Sequence, residues 1–160
     1  MLTKSKLTEQ DFIHANFVLQ YSKTSIKILT GLICFFLLIT ILTVIFLPEV
    51  SFSQLIVPLA MLMVIPLMTY FNARRKFTAD SRISEAIEYN FDSDYLSMKG
   101  ESFNSQQTWD KVYKVKQKKN WILIWQNKKI ANPIPKRDMW EGQISDLKEI
   151  LDKHKVKNNL

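Results

Sequence analysis

The sequence predicts a membrane α-helical hairpin joined to an α+β cytoplasmic domain, a small curved antiparallel sheet closed by one C-terminal amphipathic helix. Three observations predict it. Residues 28–47, "ILTGLICFFLLITILTVIFL", run without a charge, and at about 1.5 Å of rise per residue that run matches a hydrocarbon core ~30 Å thick. A second uncharged run, "LIVPLAMLMVIPLMTYF" at residues 55–71, follows a short connection. Beyond residue 76 the chain breaks into short runs of strand composition punctuated by turn residues, and it ends in a helical stripe of Ile144, Leu147, Ile150 and Leu151.

The mean hydropathy of -0.07 averages two unlike halves, one apolar and one rich in lysine. A chain of 160 residues has too little other apolar material to wrap two all-round hydrophobic helices as a soluble core. A cleaved leader is also disfavoured, because Glu9 and Asp11 precede the first run and no small-residue cleavage site follows it. Three segments result: an N-terminal amphipathic segment at 1–27, a two-helix transmembrane hairpin at 28–71, and a cytoplasmic domain at 77–160.

In the first segment, Thr8 and Asp11 have the spacing of a capping box, and Phe12, Ala15 and Leu19 recur at helical intervals. His14 falls off that stripe. In the hairpin, Pro58 and Pro66 each remove a backbone donor, so kinks are expected there. Two spans joined by so short a connection must run antiparallel. Lys23 and Lys27 flank the first span, and Arg74, Arg75 and Lys76 the second, while the connection carries only Glu49 as a charge. The positive-inside rule then places both termini in the cytoplasm of a multi-pass cell-membrane protein, with Tyr70 as an interfacial anchor. Cys34, the single cysteine, reads as a small apolar residue facing lipid or a neighbouring helix.

In the last segment, "AIEYNF" reads as a strand with Ile87, Tyr89 and Phe91 on one face, followed by "YLSMK", a turn at Gly100, and a polar third strand in "SFNSQQTW". Residues 109–116 and Trp121–Trp125 form a hairpin through "QKKN", and "KIANPI" is a further strand. Trp121, Leu123 and Trp125 alternate with Ile122 and Ile124, so this strand must be covered on both faces or meet lipid on one. Asp138 is the expected N-cap of the final helix, with Glu141 three residues on.

Trp109, Asp110 and Val112, the apolar strand ending at Trp125, and "IPKR" at Ile134 to Arg137 come in this order before an amphipathic helix. In this the chain resembles the YcxB-like family of bacterial membrane proteins. The resemblance implies two membrane spans and a C-terminal domain related to the pleckstrin-homology-like fold, in a reduced form. Only eighty-four residues lie between 77 and 160, so one or more strands are expected to be short or missing, and a second copy could cover an open edge.

From Lys111 to Arg137 there are nine lysines and arginines and no acid. One reading is a solvated sheet edge whose lysines discourage strand pairing. A second, weighed equally, is docking on the anionic inner leaflet, with Trp121, Trp125 or Trp140 at the headgroup level. Nucleic-acid binding is the least favoured, since no recognised motif accompanies the lysines. Candidate surface residues are Lys111, Lys114, Lys116, Lys118, Lys119, Trp121, Trp125, Lys136 and Arg137. A phosphate site at Lys136 and Arg137, just before a helix start, is outweighed by a turn stiffened by Pro133 and Pro135.

No paired carboxylates, nucleophile elbow, metal spacing or P-loop is visible, so neither an enzyme nor a cofactor is expected. His14 and His154 lie far apart in sequence. The function these features point to is a membrane-anchored binding or interaction module whose basic domain contacts anionic lipid or a protein partner, which includes a second copy. The alternative is a small accessory or immunity-type membrane protein acting through its hairpin.

Overall fold

A computed structural model describes residues 1–47, 51–128 and 130–160. Glu49 of the connection and Lys129 of the basic ribbon lie outside the described residues. The described chain forms two compact units, one of Met1–Asp11 with Phe77–Leu160 and the other of Phe12–Lys76.

The first unit holds seven strands among the described residues, and the earliest of them precedes the apolar helices. Strand β1 (Leu2–Lys6) pairs antiparallel with β2 (Ala86–Phe91), which pairs in turn with β3 (Tyr95–Lys99) and β4 (Asn104–Thr108), giving the sheet order β1-β2-β3-β4. The second sheet has the order β5-β6-β7, from Lys114–Lys118, Trp121–Trp125 and Ala131–Pro135. Helix α4 (Glu141–Lys153) follows the last strand. An antiparallel α+β domain is therefore present beside two long apolar helices, and of residues 1–27 it takes strand β1 and only the first residues of the helix that follows.

Ile87, Tyr89 and Phe91 share a face, as expected. Tyr89 and Phe91 are buried and Ile87 packs against them. The Tyr89 and Phe91 rings stack at 6.3 Å, and Phe91 stacks on Trp109 at 6.5 Å. Burial, with Asp138 adding to it, pushes the Tyr89 hydroxyl far above its ordinary range. Trp109 does not open the fifth strand. It sits in a 3-10 turn at Trp109–Lys111, fully buried, where its Nε1 donates to the Asp92 carbonyl at 2.9 Å. That anchor carries the chain from one sheet to the other, so β5 begins only at Lys114. Gly100 closes the β3–β4 turn by donating to the Phe103 carbonyl, and a Cβ there would lie 2.5 Å from the Phe103 ring.

Leu147 and Leu151 of α4 are fully buried, and Ile144 and Ile150 pack beside them. The helix starts later than its sequence suggests. Asp138 lies in the 3-10 turn Lys136–Asp138, and Trp140 is the N-cap. Asp138 is held elsewhere, accepting a 2.5 Å hydrogen bond from Ser5 and facing Arg137 Nε at 3.6 Å. After α4, Lys155 takes a left-handed conformation at φ 55°, and the Val156 amide reaches back to the Leu151 carbonyl at 2.8 Å, a glycine-type helix ending made without glycine.

The second unit contains α2 (Thr24–Phe46), a 3-10 turn at Phe52–Leu55 and α3 (Ile56–Ala79). Both helices are long and apolar enough to cross a membrane, and only 6% of the apolar window of each is buried. A soluble core helix would show the opposite. Pro58 falls in the first turn of α3, where a missing amide breaks no helical hydrogen bond, so no kink is required there. Pro66 lies inside the helix and does remove one. Helix α1 (Glu9–Tyr21) begins in the first unit and continues into the second.

Candidate functional site

The basic ribbon folds into the three-stranded sheet, and its register decides which residues face outward. Lys114, Lys116 and Lys118 of β5 stand opposite Trp125, Leu123 and Trp121 of β6, and these pair with Ala131, Pro133 and Pro135 of β7. Val115, Ile122, Ile124 and Ile134 belong to the core cluster, so the lysines share the other face with the two tryptophans.

All five residues of β6 are buried. Trp121 and Trp125, at 3% and 6% exposed, are therefore not surface residues and cannot reach lipid headgroups. The physical reason is position: β6 is the central strand of its sheet and is covered on both faces. Trp125 instead serves as a floor for Lys114, whose Nζ lies 4.7 Å from its ring and 5.0 Å from that of Tyr113. Such a cation–π contact contributes about 0.5–1 kcal/mol at a partly exposed site. The Trp125 Nε1 is buried without a hydrogen-bond partner among the described residues. The exposed tryptophan is Trp140, at 65%, its ring lying against Gly142.

Among the candidate cations, Lys111, Lys118 and Lys119 are exposed, while Lys114, Lys116 and Lys136 are half-buried. Arg137 is committed within the domain. Its two terminal nitrogens clamp the Asp11 carboxylate at 2.8 and 2.6 Å, a bidentate pair. Thr8 completes the capping box, its hydroxyl donating to Asp11 at 2.7 Å and accepting from the Asp11 amide at 3.1 Å. The Arg137 hydrogen bond, followed by those from Thr8, holds the Asp11 carboxyl well below the usual carboxylate range. Since α4 begins at Glu141, Lys136 and Arg137 do not stand at a helix start, and the phosphate reading loses its geometry.

The flanking cations sit at the helix ends. Lys23 precedes α2 and donates to Gln20 at 2.9 Å, and Lys27 lies in the first turn of α2. Arg74, Arg75 and Lys76 are exposed in the last turns of α3, just beyond Tyr70, whose ring meets Phe71 edge-on at 5.5 Å.

The feature that sequence reasoning missed is the seat of β1. Buried Thr3 donates to Gln143 Oε1 at 3.1 Å, Gln143 Nε2 donates to the Leu2 carbonyl at 3.0 Å, and the Met1 amino group donates to the Phe91 carbonyl at 3.1 Å. The inward positions of "LTKSK" are hydroxyls, so no apolar alternation announces the strand. The available signal was Gln143, a polar residue beside the apolar stripe of α4.

No curated protein and no solved structure matches the chain. One family comparison does. Residues 91–151, from the end of β2 to near the end of α4, match the family model described as YcxB-like protein, and this part of the chain is similar to YcxB-like domains.

Proposed function

We propose that the chain is a membrane-anchored binding module, with α2 and α3 crossing the cell membrane, both termini cytoplasmic, and the exposed lysines of the domain meeting the anionic inner leaflet. The observation that carries this reading is the pairing of β1 with β2, in register from Leu2↔Asn90 to Lys6↔Ala86, across the whole apolar insertion. A strand before the spans and a strand after them can pair only on one side of a bilayer. That supports an even number of crossings, and Lys23, Lys27, Arg74, Arg75 and Lys76 support the cytoplasmic side. The four-plus-three strand order with a closing helix supports a pleckstrin-homology-like reading of the domain.

With Trp121 and Trp125 buried, lipid contact would fall to the exposed Lys111, Lys118 and Lys119, with Trp140 the one tryptophan exposed enough to meet headgroups. Each lysine contributes at most about 1 kcal/mol beside an anionic surface, and salt screens the attraction. The test is amine labelling of the full chain in nanodiscs of neutral phosphatidylcholine and of phosphatidylcholine with phosphatidylglycerol. Labelling of these three lysines slows several-fold on the anionic discs and recovers in raised salt. Equal labelling on both lipids would sink the lipid reading. It would favour the second one, supported by the exposed apolar side chains of both long helices, in which the hairpin contacts another membrane protein.

A further inference from the structure

The two sheets end in four edge strands, β1 and β4 in the first and β5 and β7 in the second. An open edge invites pairing with another chain, and three of these four carry a device against it. The Gln126 amide donates to the Ile130 carbonyl at 3.1 Å and the Lys136 amide to the Asn120 carbonyl at 2.9 Å, so in β7 the alternate residues Ala131, Pro133 and Pro135 turn their backbone away from β6. Both prolines lack the amide that a further strand would use. On β5 the chain fills its own edge, the Val115 amide donating to the Lys157 carbonyl at 2.9 Å and the Gln117 amide to Asn159 Oδ1 at 2.8 Å. On β1, Gln143 takes the Leu2 carbonyl, and exposed Lys4 and Lys6 place charge along the strand.

Strand β4 has none of these devices among the described residues. The Gly100 amide donates to the Phe103 carbonyl at 2.8 Å, so Phe103, Ser105 and Gln107 bond toward β3, and Asn104, Gln106 and Thr108 turn their amides outward. Asn104, Ser105, Gln106 and Thr108 are exposed, and only Gln107 is partly covered, its side chain donating to the Lys111 carbonyl at 2.8 Å. The strand "NSQQT" holds neither a charge nor a proline, and each of its ends is balanced, by Lys99 with Glu101 and by Asp110 with Lys111. Like charges opposite one another destabilise a strand pair, and two copies of a chain of net charge +7 meet none along this strand.

We propose that the β4 edge is the contact between two copies of this chain, the second copy's β4 adding antiparallel about a two-fold axis through Gln106. Gln106 then stands opposite Gln106 of the second copy, and Asn104 opposite Thr108 of the second copy. Each facing pair joins amide or hydroxyl side chains that both donate and accept, so the strand is complementary to itself. Main-chain hydrogen bonds from the outward amides supply the affinity. Five residues a side make a small interface of the weak class, so the pair forms where both copies share a bilayer. The contact goes beyond the lipid reading and does not depend on it.

The experiment uses the full chain in proteoliposomes of neutral phosphatidylcholine, where lipid charge plays no part. Cysteines are placed singly by Asn104→Cys, Gln106→Cys, Thr108→Cys and, on the guarded β1 edge, Lys6→Cys, each with Cys34→Ala, and disulfide formation under mild oxidation is timed. Residues opposed across the axis lie within disulfide reach, whereas Asn104 of one copy and Asn104 of the other lie about 14 Å apart, beyond it. Gln106→Cys therefore crosslinks with itself, and a mixture of Asn104→Cys and Thr108→Cys chains crosslinks at least about fivefold faster than either chain alone. Adding Gln106→Lys to both chains of that mixture sets two like charges face to face and slows the crosslink several-fold. Equal rates for the mixture and its separate components, a Lys6→Cys chain as fast as Gln106→Cys, or a rate untouched by Gln106→Lys would each overturn the proposal.

Discussion

Replacing Gln143 with alanine tests whether β1 is an integral strand of the domain. The Gln143 side chain is buried, its oxygen taking the Thr3 hydroxyl at 3.1 Å and the Trp140 amide at 3.4 Å, while its nitrogen reaches the Leu2 carbonyl at 3.0 Å. Truncation strands the Thr3 hydroxyl, which is 3% exposed, and an unsatisfied buried polar group costs about 1–3 kcal/mol. Leu2 is 62% exposed and its carbonyl can turn to water, so its share is small. The sum is about 2–3 kcal/mol, concentrated on the β1–β2 pair. Hydrogen exchange of the full chain in nanodiscs reads this directly, because local opening free energy sets the protection of each amide. Exchange in Leu2–Lys6 and Ala86–Phe91 should accelerate about 30- to 150-fold, with β5–β7 little changed. Gln143→Glu keeps the acceptor and should fall between the two. Unchanged protection in the Gln143→Ala chain would refute the reasoning, since a surface substitution costs only about 0.5 kcal/mol or less.

Asp11→Asn should loosen the start of α1 by about 0.5–1.5 kcal/mol, a range kept low because Arg137 is largely exposed to screening solvent. The sign follows from a depressed folded-state pKa: the contribution of Asp11 is fully present above its unfolded value near 3.9 and is lost as pH falls through the lower folded value. Exchange of the Asp11 amide should therefore stay pH-normal to mildly acid conditions and rise only in strong acid, and the Asn variant should lack this acid step. Trp121→Ala should destabilise by about 3–5 kcal/mol in thermal unfolding, whereas Trp140→Ala should cost about 0.5 kcal/mol or less. Acrylamide quenching should act mainly on Trp140, and loss of quenching on removal of Trp121 or Trp125 would contradict their burial. Lys155→Gly should stabilise by about 0.5–1 kcal/mol, because the left-handed backbone there suits glycine; a lowered unfolding midpoint would count against that account.

Much of this architecture is legible in the sequence because apolar periodicity reports burial. The two uncharged runs become α2 and α3, "AIEYNF" and "YLSMK" become β2 and β3, and the stripe from Ile144 to Leu151 becomes the inner face of α4. What escapes is whatever polar atoms decide. Strand β1 is seated through Thr3 and Ser5, and Asp138 abandons its cap because Ser5 captures its carboxylate. The surface was harder still. "WILIW" alternates tryptophan with isoleucine, and a sequence cannot say which of two apolar faces meets solvent; here neither does. Arg137 looked like one more cation of the ribbon, and its partner Asp11 lies 126 residues away in the chain.

The place of β1 also bears on how the molecule is made. Leu2–Lys6 is synthesised before both apolar helices, and its partner Ala86–Phe91 only after them. The first strand must wait, unpaired, until the whole apolar segment has been made and, in the proposed topology, until its far end has returned to the same side of the bilayer. A chain in which only one helix had crossed would hold β1 and β2 on opposite sides of the bilayer, with the domain unable to close. In the proposed two-span topology, closure of the sheet would therefore report complete insertion, and a half-inserted chain would leave the β2 edge open.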